Sequence, residues 1–160
     1  MTVVLEMSTD PDIVETPLNA AWNPVTHRFH WNQVAATNLN IAGGSTIVVV
    51  AHGDGTEIGN ADPGVVDINS QIFLALVHGN MANGTVPNAV YISTCAPGIA
   101  EFAANVSLSA RQNQVWANTR IFGHADPVIG PVPPPNDIGW IEIYNSNLRR
   151  SRPQATKNAN

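Results

Sequence analysis

Two apolar runs decide the fold of this chain, and each of them ends in a reactive side chain. The first is Thr46-Ile-Val-Val-Val-Ala-His52-Gly53, and the second is Ala89-Val-Tyr-Ile-Ser-Thr-Cys95-Ala96, which carries the only cysteine of the protein. Short apolar runs of this kind, rich in β-branched residues, are typical of strands that are buried on both faces of a parallel sheet. If the two strands are neighbours, the imidazole and the thiol emerge at the same edge of the sheet.

The segments around these two runs are predicted from hydrophobic period and from turn residues. Further strands are expected where short β-prone runs occur, at 2–7, 115–123 and 140–144. Helices are expected where apolar residues recur at helical spacing, at 29–39, 65–78 and 99–111. Two segments rich in proline, asparagine or glycine are expected to be irregular, namely 13–28 and 53–64, the second with room for a small hairpin.

The order of these elements predicts an α/β fold. Strands alternate with helices, which favours a mostly parallel sheet that is covered on both faces. The helix at 65–78 connects the two central strands, and a right-handed crossover of this kind brings both carboxyl ends to one edge. We expect one domain over residues 1–145 and a flexible C-terminal tail over 146–160.

The composition excludes several classes of function. Of the 160 residues, 44% are hydrophobic and 12% are charged, and the longest apolar run, at 47–51, is far too short to span a bilayer. The net charge is -5, and the only basic cluster lies at 149–152, so nucleic-acid binding is not expected. A single cysteine allows no internal disulfide, and no secretory signal is recognisable. We expect a soluble cytoplasmic protein, or an effector delivered into another cell, that does not bind membranes.

The histidine and the cysteine at the ends of the two runs form a candidate catalytic dyad. Adjacent strands lie about 4.8 Å apart, so side chains at their ends can reach one substrate atom. A thiolate is the nucleophile in such a dyad, and we expect the His52 imidazole and the helix that follows Cys95 to favour it. Gly53 allows a carbonyl group to approach the backbone closely, so the N–H groups of Gly53 and Cys95 are candidates for an oxyanion hole.

The order and spacing of these residues resemble those of the caspase-like cysteine peptidases. This clan includes caspases, metacaspases, gingipains, clostripain, legumain, separase and the self-processing domains of large bacterial toxins. Its motif is an apolar block followed by His-Gly, and then a second apolar block followed by a small residue and Cys, which here covers residues from about 45 to 125. The resemblance implies a three-layer α/β/α fold and an endopeptidase of peptide or protein substrates without a cofactor. It identifies His52 as the catalytic histidine, Cys95 as the nucleophile and Gly53 as an oxyanion-hole residue.

Acidic residues in the loops near the dyad are candidates for a substrate pocket. Asp54, Glu57 and Asp126 follow predicted strands, and their carboxylates could select a basic side chain in the substrate. The chain departs from the clan at two positions, since Thr94 precedes the cysteine where many members have alanine or glycine, and Ser93 offers no acid for a clostripain-like basic pocket.

Two alternative functions remain open from the sequence. The pattern His52-Gly-Asp54 is repeated as His124-Ala-Asp126, and these imidazoles and carboxylates could form the metal site of a metal-dependent hydrolase. The chain could also be a non-catalytic caspase-like interaction module. The tryptophans Trp116 and Trp140 could line a pocket, but they are expected to pack in the core.

Overall fold

The computed structural model describes residues 1–144 and 147–150. Nine strands are found in this part of the chain: β1 (Thr2–Glu6), β2 (Val25–Phe29), β3 (Thr46–Gly53), β4 (Glu57–Gly59), β5 (Asp67–Asn69), β6 (Ala89–Thr94), β7 (Arg120–His124), β8 (Trp140–Tyr144) and β9 (Asn147–Arg150). Three α-helices accompany them: α1 (Trp31–Ala35), α2 (Ser70–Asn80) and α3 (Ile99–Gln112). A single 3-10 turn lies between the first two strands, at Ala20–Trp22.

The strands join in one mostly parallel sheet, as the order of the elements predicts. Its strand order is β2-β1-β3-β6-β7-β8-β9, in which the first five are parallel to their neighbours and the last two pairs are antiparallel. The hairpin of β4 and β5 extends the end of β3. The fold is therefore α/β, and β3 and β6 are neighbours at the centre of the sheet.

The sheet is covered on both faces, which gives the molecule three layers. Along β3, Ile47 and Val49 pack into a hydrophobic cluster with residues of all three α-helices. The alternate residues Val48 and Val50 pack into a second cluster on the other face. There the layer is formed by the 3-10 turn and by loop residues, together with a group of aromatic rings: Trp22, Tyr91, Phe122 and Trp140. The expected burial of β3 on both sides is confirmed.

The region before the first central strand is more regular at its start and less helical at its end than predicted. The expected irregular segment 13–28 contains the 3-10 turn and most of β2, an edge strand whose half-exposed residues give no clear apolar pattern. The expected helix at 29–39 is reduced to α1, because Phe29 belongs to β2 and Thr37 has a left-handed backbone with φ 53°. Both β2 and α1 are only five residues long, so their sequences carry little periodic pattern.

Two further boundaries also differ from the prediction. The helix expected at 65–78 begins only at Ser70, because 67–69 forms β5 and the Asn69 side chain accepts a hydrogen bond from the Ile72 N–H at 2.9 Å. The expected strand at 115–123 begins only at Arg120, because Gln114 and Trp116 have left-handed backbones. The helix at 99–111 and the strand at 140–144 are confirmed within a residue.

Part of the segment 146–160, which is predicted to be a flexible tail, belongs to the sheet. Residues 147–150 form β9 and pair antiparallel with β8, so the sheet continues past the expected domain boundary at 145. The rest of the predicted tail, 151–160, lies outside the described residues. Trp116 and Trp140 are both buried in the core, as expected. None of the helices in the described part of the chain is long and apolar enough to cross a membrane.

Candidate active site

The register of the two central strands brings His52 and Cys95 together. In the parallel ladder, Ala51 is paired with Thr94, so the next residue on each strand is a member of the predicted dyad. His52 Nδ1 lies 2.7 Å from Cys95 Sγ. Both residues are partly buried, and the imidazole is only 15% exposed. The adjacency on which the predicted dyad depends is therefore present.

The second nitrogen of His52 faces two carboxylates that the sequence analysis treats only as turn residues. His52 Nε2 lies 3.0 Å from Asp12 Oδ1 and 3.4 Å from Asp10 Oδ2. Both acids follow β1, the strand that pairs with β3 on the side opposite to β6. The signal that could have found them is their place directly after a buried strand of a parallel sheet, whose carboxyl ends share one edge.

The Asp10 and Asp12 carboxylates differ in their other contacts. Asp10 Oδ2 also accepts a hydrogen bond from the Ala61 N–H at 2.7 Å, which ties the loop after β1 to the loop after β4. The side chain of Asn60 strengthens the same junction through Ser8. Asp12 is 67% exposed on its side chain and makes its closest polar contact with His52. Asp10 is thus mainly a loop anchor, and Asp12 is the partner of the imidazole.

The environment of Cys95 favours the thiol in the free protein. Burial raises the pKa of Cys95 above its ordinary value, the backbone N–H of Cys95 itself opposes this shift, and the negative charge of Asp12 adds to it. The expectation that the imidazole and the following helix would lower this pKa is therefore wrong. Helix α3 begins only at Ile99, and desolvation by the surrounding residues is the larger influence.

Gly53 is placed where its N–H can serve a bound carbonyl. The next residue, Asp54, donates its N–H to the Glu57 carbonyl at 3.0 Å across the β3–β4 turn. Because successive N–H groups alternate between the two sides of a strand, the Gly53 N–H points away from β4 and toward β6. A Cβ at this position would lie 2.6 Å from Ile58 Cγ2, so a larger residue would displace the strand.

Two clefts meet at Cys95. One has a volume of about 390 Å³ and lies along β4 and the loop after it, with His52 and Gly53 in its wall. The other has a volume of about 220 Å³ and lies between the loop after β1 and the loop after β7. Cys95 lines both clefts and is the residue they have in common.

The predicted pocket acids lie at different places around these clefts. Asp54 and Glu57 line the larger cleft. Asp54 Oδ1 accepts hydrogen bonds from the N–H and the hydroxyl of Thr56 and from the Glu57 N–H, and these bonds lower the pKa of Asp54. Asp126 lines neither cleft, because it is exposed in the loop after β7. Its expected role as a pocket residue is not supported.

The predicted metal quartet is not assembled. His124 is buried and lies 2.7 Å from Asp137 through Nε2, while its Nδ1 contacts the backbone of Asp126. His52, Asp54, His124 and Asp126 do not form one of the groups of described residues whose ligand atoms lie within 4.8 Å of one another. The expectation of a metal site at these four residues is wrong.

Two other groups in the described residues have ligand atoms within 4.8 Å of one another. They are Asp10, Asp12 and His52, and Glu6, Glu15 and His30. In the second group Glu6 also binds the Arg28 guanidinium, whose charge opposes a bound cation. Burial alone would raise the pKa of Glu6, but its hydrogen bonds, first to Arg28 and then to His30, lower it overall. This cluster is a buried ion pair that holds β2 to β1.

Comparison of the chain with protein-family models, with curated proteins and with solved structures gives no match. The functional interpretation therefore depends on the residues and their geometry.

Proposed function

We propose that this protein is a cysteine endopeptidase that hydrolyses peptide bonds through an acyl-enzyme. The observation that carries the proposal is the contact of His52 Nδ1 with the Cys95 thiol, with the Asp12 carboxylate at the other imidazole nitrogen. A nucleophile, a base within hydrogen-bond distance and a third group that orients the base are the parts of a nucleophilic catalytic site. The resemblance to caspase-like peptidases in the order of histidine and cysteine supports the same function.

The proposed reaction has two steps. In the first, the Cys95 sulfur attacks the substrate carbonyl carbon while His52 accepts the thiol proton, and the imidazolium then gives that proton to the leaving amine. In the second, His52 takes a proton from water, the hydroxide attacks the thioester, and the thiol is regenerated as the acid product leaves. The carbonyl oxygen carries a negative charge in both tetrahedral intermediates, and the N–H groups of Gly53 and Cys95 are the candidates to stabilise it.

Asp12 is the proposed positioning residue of this dyad. A carboxylate at Nε2 keeps Nδ1 directed at the sulfur and stabilises the imidazolium that forms during the attack. The same charge adds to the burial that raises the pKa of the thiol, which favours a thiol over a preformed thiolate in the free protein. This arrangement resembles the Asp–His–Ser type of activation more than a preformed thiolate–imidazolium pair.

The proposed substrates are peptides or proteins, and neither a metal nor a cofactor takes part in the reaction. A cysteine nucleophile must stay reduced to function, so we propose that the protein works in the cytoplasm or in the cytoplasm of a cell into which it is delivered. Nucleic acids and membranes are not proposed as partners.

The direct test is hydrolysis of a fluorogenic peptide library by the wild-type protein and by Cys95→Ala. We expect cleavage by the wild type, resistance of this activity to EDTA, and complete loss in the variant, whose fold is checked by circular dichroism. Labelling with an irreversible thiol-directed peptide provides the second readout, with His27→Ala, an exposed histidine, as the control for His52→Ala. Hydrolysis that persists in Cys95→Ala would contradict the proposal, and a folded protein that neither cleaves nor labels would be a non-catalytic module.

A further inference from the structure

The two clefts beside Cys95 can be assigned to the two halves of a substrate from the position of the histidine. In an acyl transfer, the general acid must face the leaving amine, whereas the acyl half stays attached to the sulfur. His52 lines the larger cleft and does not line the smaller one, while Cys95 lines both. The larger cleft is therefore the leaving-group side, and the smaller one receives the side chain on the acyl side of the scissile bond.

The smaller cleft, here called the acyl pocket, is suited to a compact side chain without charge. Its volume of about 220 Å³ is below the roughly 300–1,000 Å³ of pockets that hold whole small ligands, so it has room for a single side chain. Most of its wall is apolar: Ile13, Val50, Ala51, Val128 and Ile129. Among the described residues, the only ionisable group that lines it besides Cys95 is Asp12, whose carboxylate contacts His52.

One hydroxyl in the acyl pocket is available to a ligand. Ser93 precedes Cys95 by two residues and so lies on the same face of β6. Within the described part of the chain its hydroxyl has no hydrogen-bond partner. The other two hydroxyls of the wall are used, since Thr94 Oγ1 donates to the Ala96 carbonyl and Thr16 Oγ1 donates to the Ile13 carbonyl. The pocket therefore offers an apolar wall with one available hydroxyl and a single carboxylate, that of Asp12, which is directed at His52.

The larger cleft has the opposite character. In the part of the chain that the structure describes, three carboxylates line it, those of Asp54, Glu57 and Asp67, and no lysine or arginine does. The Asp54 pKa is lowered by the bonds to Thr56 and Glu57, so this carboxylate is ionised at neutral pH. A cleft of this charge attracts a basic side chain on the leaving-group half of a substrate.

We propose that the enzyme cleaves after a small or medium-sized uncharged residue, such as alanine, valine or threonine, and that it prefers lysine or arginine immediately after the cleaved bond. This inference rests on the proposed peptidase function. It assigns the preference for a basic side chain, which the acids alone suggest, to the leaving-group side of the substrate.

The test is a position-scanned library of internally quenched peptides, with cleavage sites identified by mass spectrometry. We expect kcat/KM to be about tenfold or more higher for valine than for arginine or glutamate on the acyl side. Cleavage that depends on Cys95 but prefers a charged residue there would overturn the inference and leave the proposed function standing. Absence of any Cys95-dependent cleavage would overturn the proposed function, and the pocket assignment with it.

Three variants test the assignment of each cleft separately. Ser93→Leu fills the acyl pocket and is expected to shift the preference from valine to glycine or alanine. Ile129→Asp adds a carboxylate at the rim of the same pocket, where Ile129 is 88% exposed and the fold is not disturbed, and is expected to raise cleavage after arginine. Glu57→Gln is expected to weaken the preference for a basic residue after the bond without changing the acyl-side preference. If Ile129→Asp changed only the leaving-group preference, the assignment of the two clefts would be wrong.

Discussion

Two histidines at the same edge of the sheet share an aspartate partner at one ring nitrogen, but they differ in the group at the other nitrogen. His52 is the penultimate residue of β3, and His124 is the last residue of β7. Each directs Nε2 at an aspartate, Asp12 at 3.0 Å and Asp137 at 2.7 Å. The contact with an aspartate therefore does not distinguish His52 from His124.

The difference lies at the other ring nitrogen. His52 Nδ1 faces the Cys95 thiol at the boundary of two clefts. His124 Nδ1 accepts the Asp126 N–H of its own turn at 3.2 Å, and the ring packs edge-on against Trp140 with 5.0 Å between ring centres. His124 therefore closes a turn, and only His52 has a nitrogen left for chemistry. An aspartate partner orients an imidazole, and the group at the second nitrogen decides its role.

Exchange of each histidine for alanine is expected to give the largest effect. His52→Ala should lower kcat/KM for peptide hydrolysis by about a thousandfold or more, because it removes the base, with little change in stability. His124→Ala should leave kcat within about twofold but lower the free energy of unfolding by about 2–4 kcal/mol, because it leaves a cavity against Trp140. Peptide hydrolysis and urea denaturation measure the two effects. Equal loss of activity in both variants of intact fold would remove the distinction.

Exchange of each aspartate for asparagine is expected to affect activity at Asp12 and stability at Asp137. Asp12→Asn should lower kcat by about tenfold to a hundredfold with KM unchanged, because the imidazolium loses its counter-charge while the size of the side chain is kept. Asp137→Asn should cost about 1–2 kcal/mol of stability through a weaker bond to His124, with kcat unchanged. The exposed Asp62 provides the control variant Asp62→Asn. If Asp12→Asn behaved like this control, Asp12 would not position His52.

A glycine lies beside each of the two histidines, since Gly53 follows His52 in the chain and Gly139 packs against the His124 ring. Both positions can be tested with alanine. A Cβ at Gly139 would lie 2.2 Å from His124 Cε1, and one at Gly53 would lie 2.6 Å from Ile58 Cγ2. Each substitution should cost about 1–3 kcal/mol of stability through overpacking. Only Gly53→Ala should also lower kcat, by about tenfold, because it displaces a candidate oxyanion donor. Thermal denaturation and hydrolysis of one substrate are sufficient, and loss of kcat in Gly139→Ala alone would be the opposite result.

The pH dependence of thiol reactivity is expected to show the smallest effect. Burial and the Asp12 charge raise the pKa of Cys95, so its alkylation by iodoacetamide should reach half of its maximal rate at a higher pH than that of a free cysteine. In Asp12→Asn the half-maximum should move to lower pH, because a negative neighbour that opposes the thiolate is gone. The variant should thus be more reactive toward iodoacetamide at neutral pH and slower toward peptides. A half-maximum below that of a free cysteine in the wild type would show a preformed ion pair instead.

The sequence predicts the central part of the fold well and its edges poorly. The runs that end at His52 and Cys95 are buried on both faces, so nearly every residue in them is apolar and the pattern is strong. The edge strand β2 has a half-exposed surface, and β9 lies in a polar stretch near the C-terminus. Strands of this kind are stabilised by pairing with a neighbour, and single-sequence patterns carry little of that information.

The dyad could be predicted because both of its members lie directly after strong strand signals. The third group could not be selected, because Asp10-Pro11-Asp12 is also an ordinary turn composition and many acids occur in loops. The metal quartet failed for the related reason that repeated spacing along the chain does not specify which side chains converge. His124 and Asp126 share a turn, and their contacts are local.

Local sequence predicts two buried strands, the order of the histidine and the cysteine, and the place of both residues at strand ends. These properties follow from local composition and from the chemistry of single side chains. The folded molecule was needed to show that β3 and β6 are neighbours in the register that joins the imidazole to the thiol. It was also needed to show that Asp12 comes from the loop after β1 to the other nitrogen and that Cys95 lines both clefts. Pairing and loop placement depend on contacts between segments about 40 residues apart in the chain, as Asp12 from His52 and His52 from Cys95 are, and local sequence does not encode such contacts.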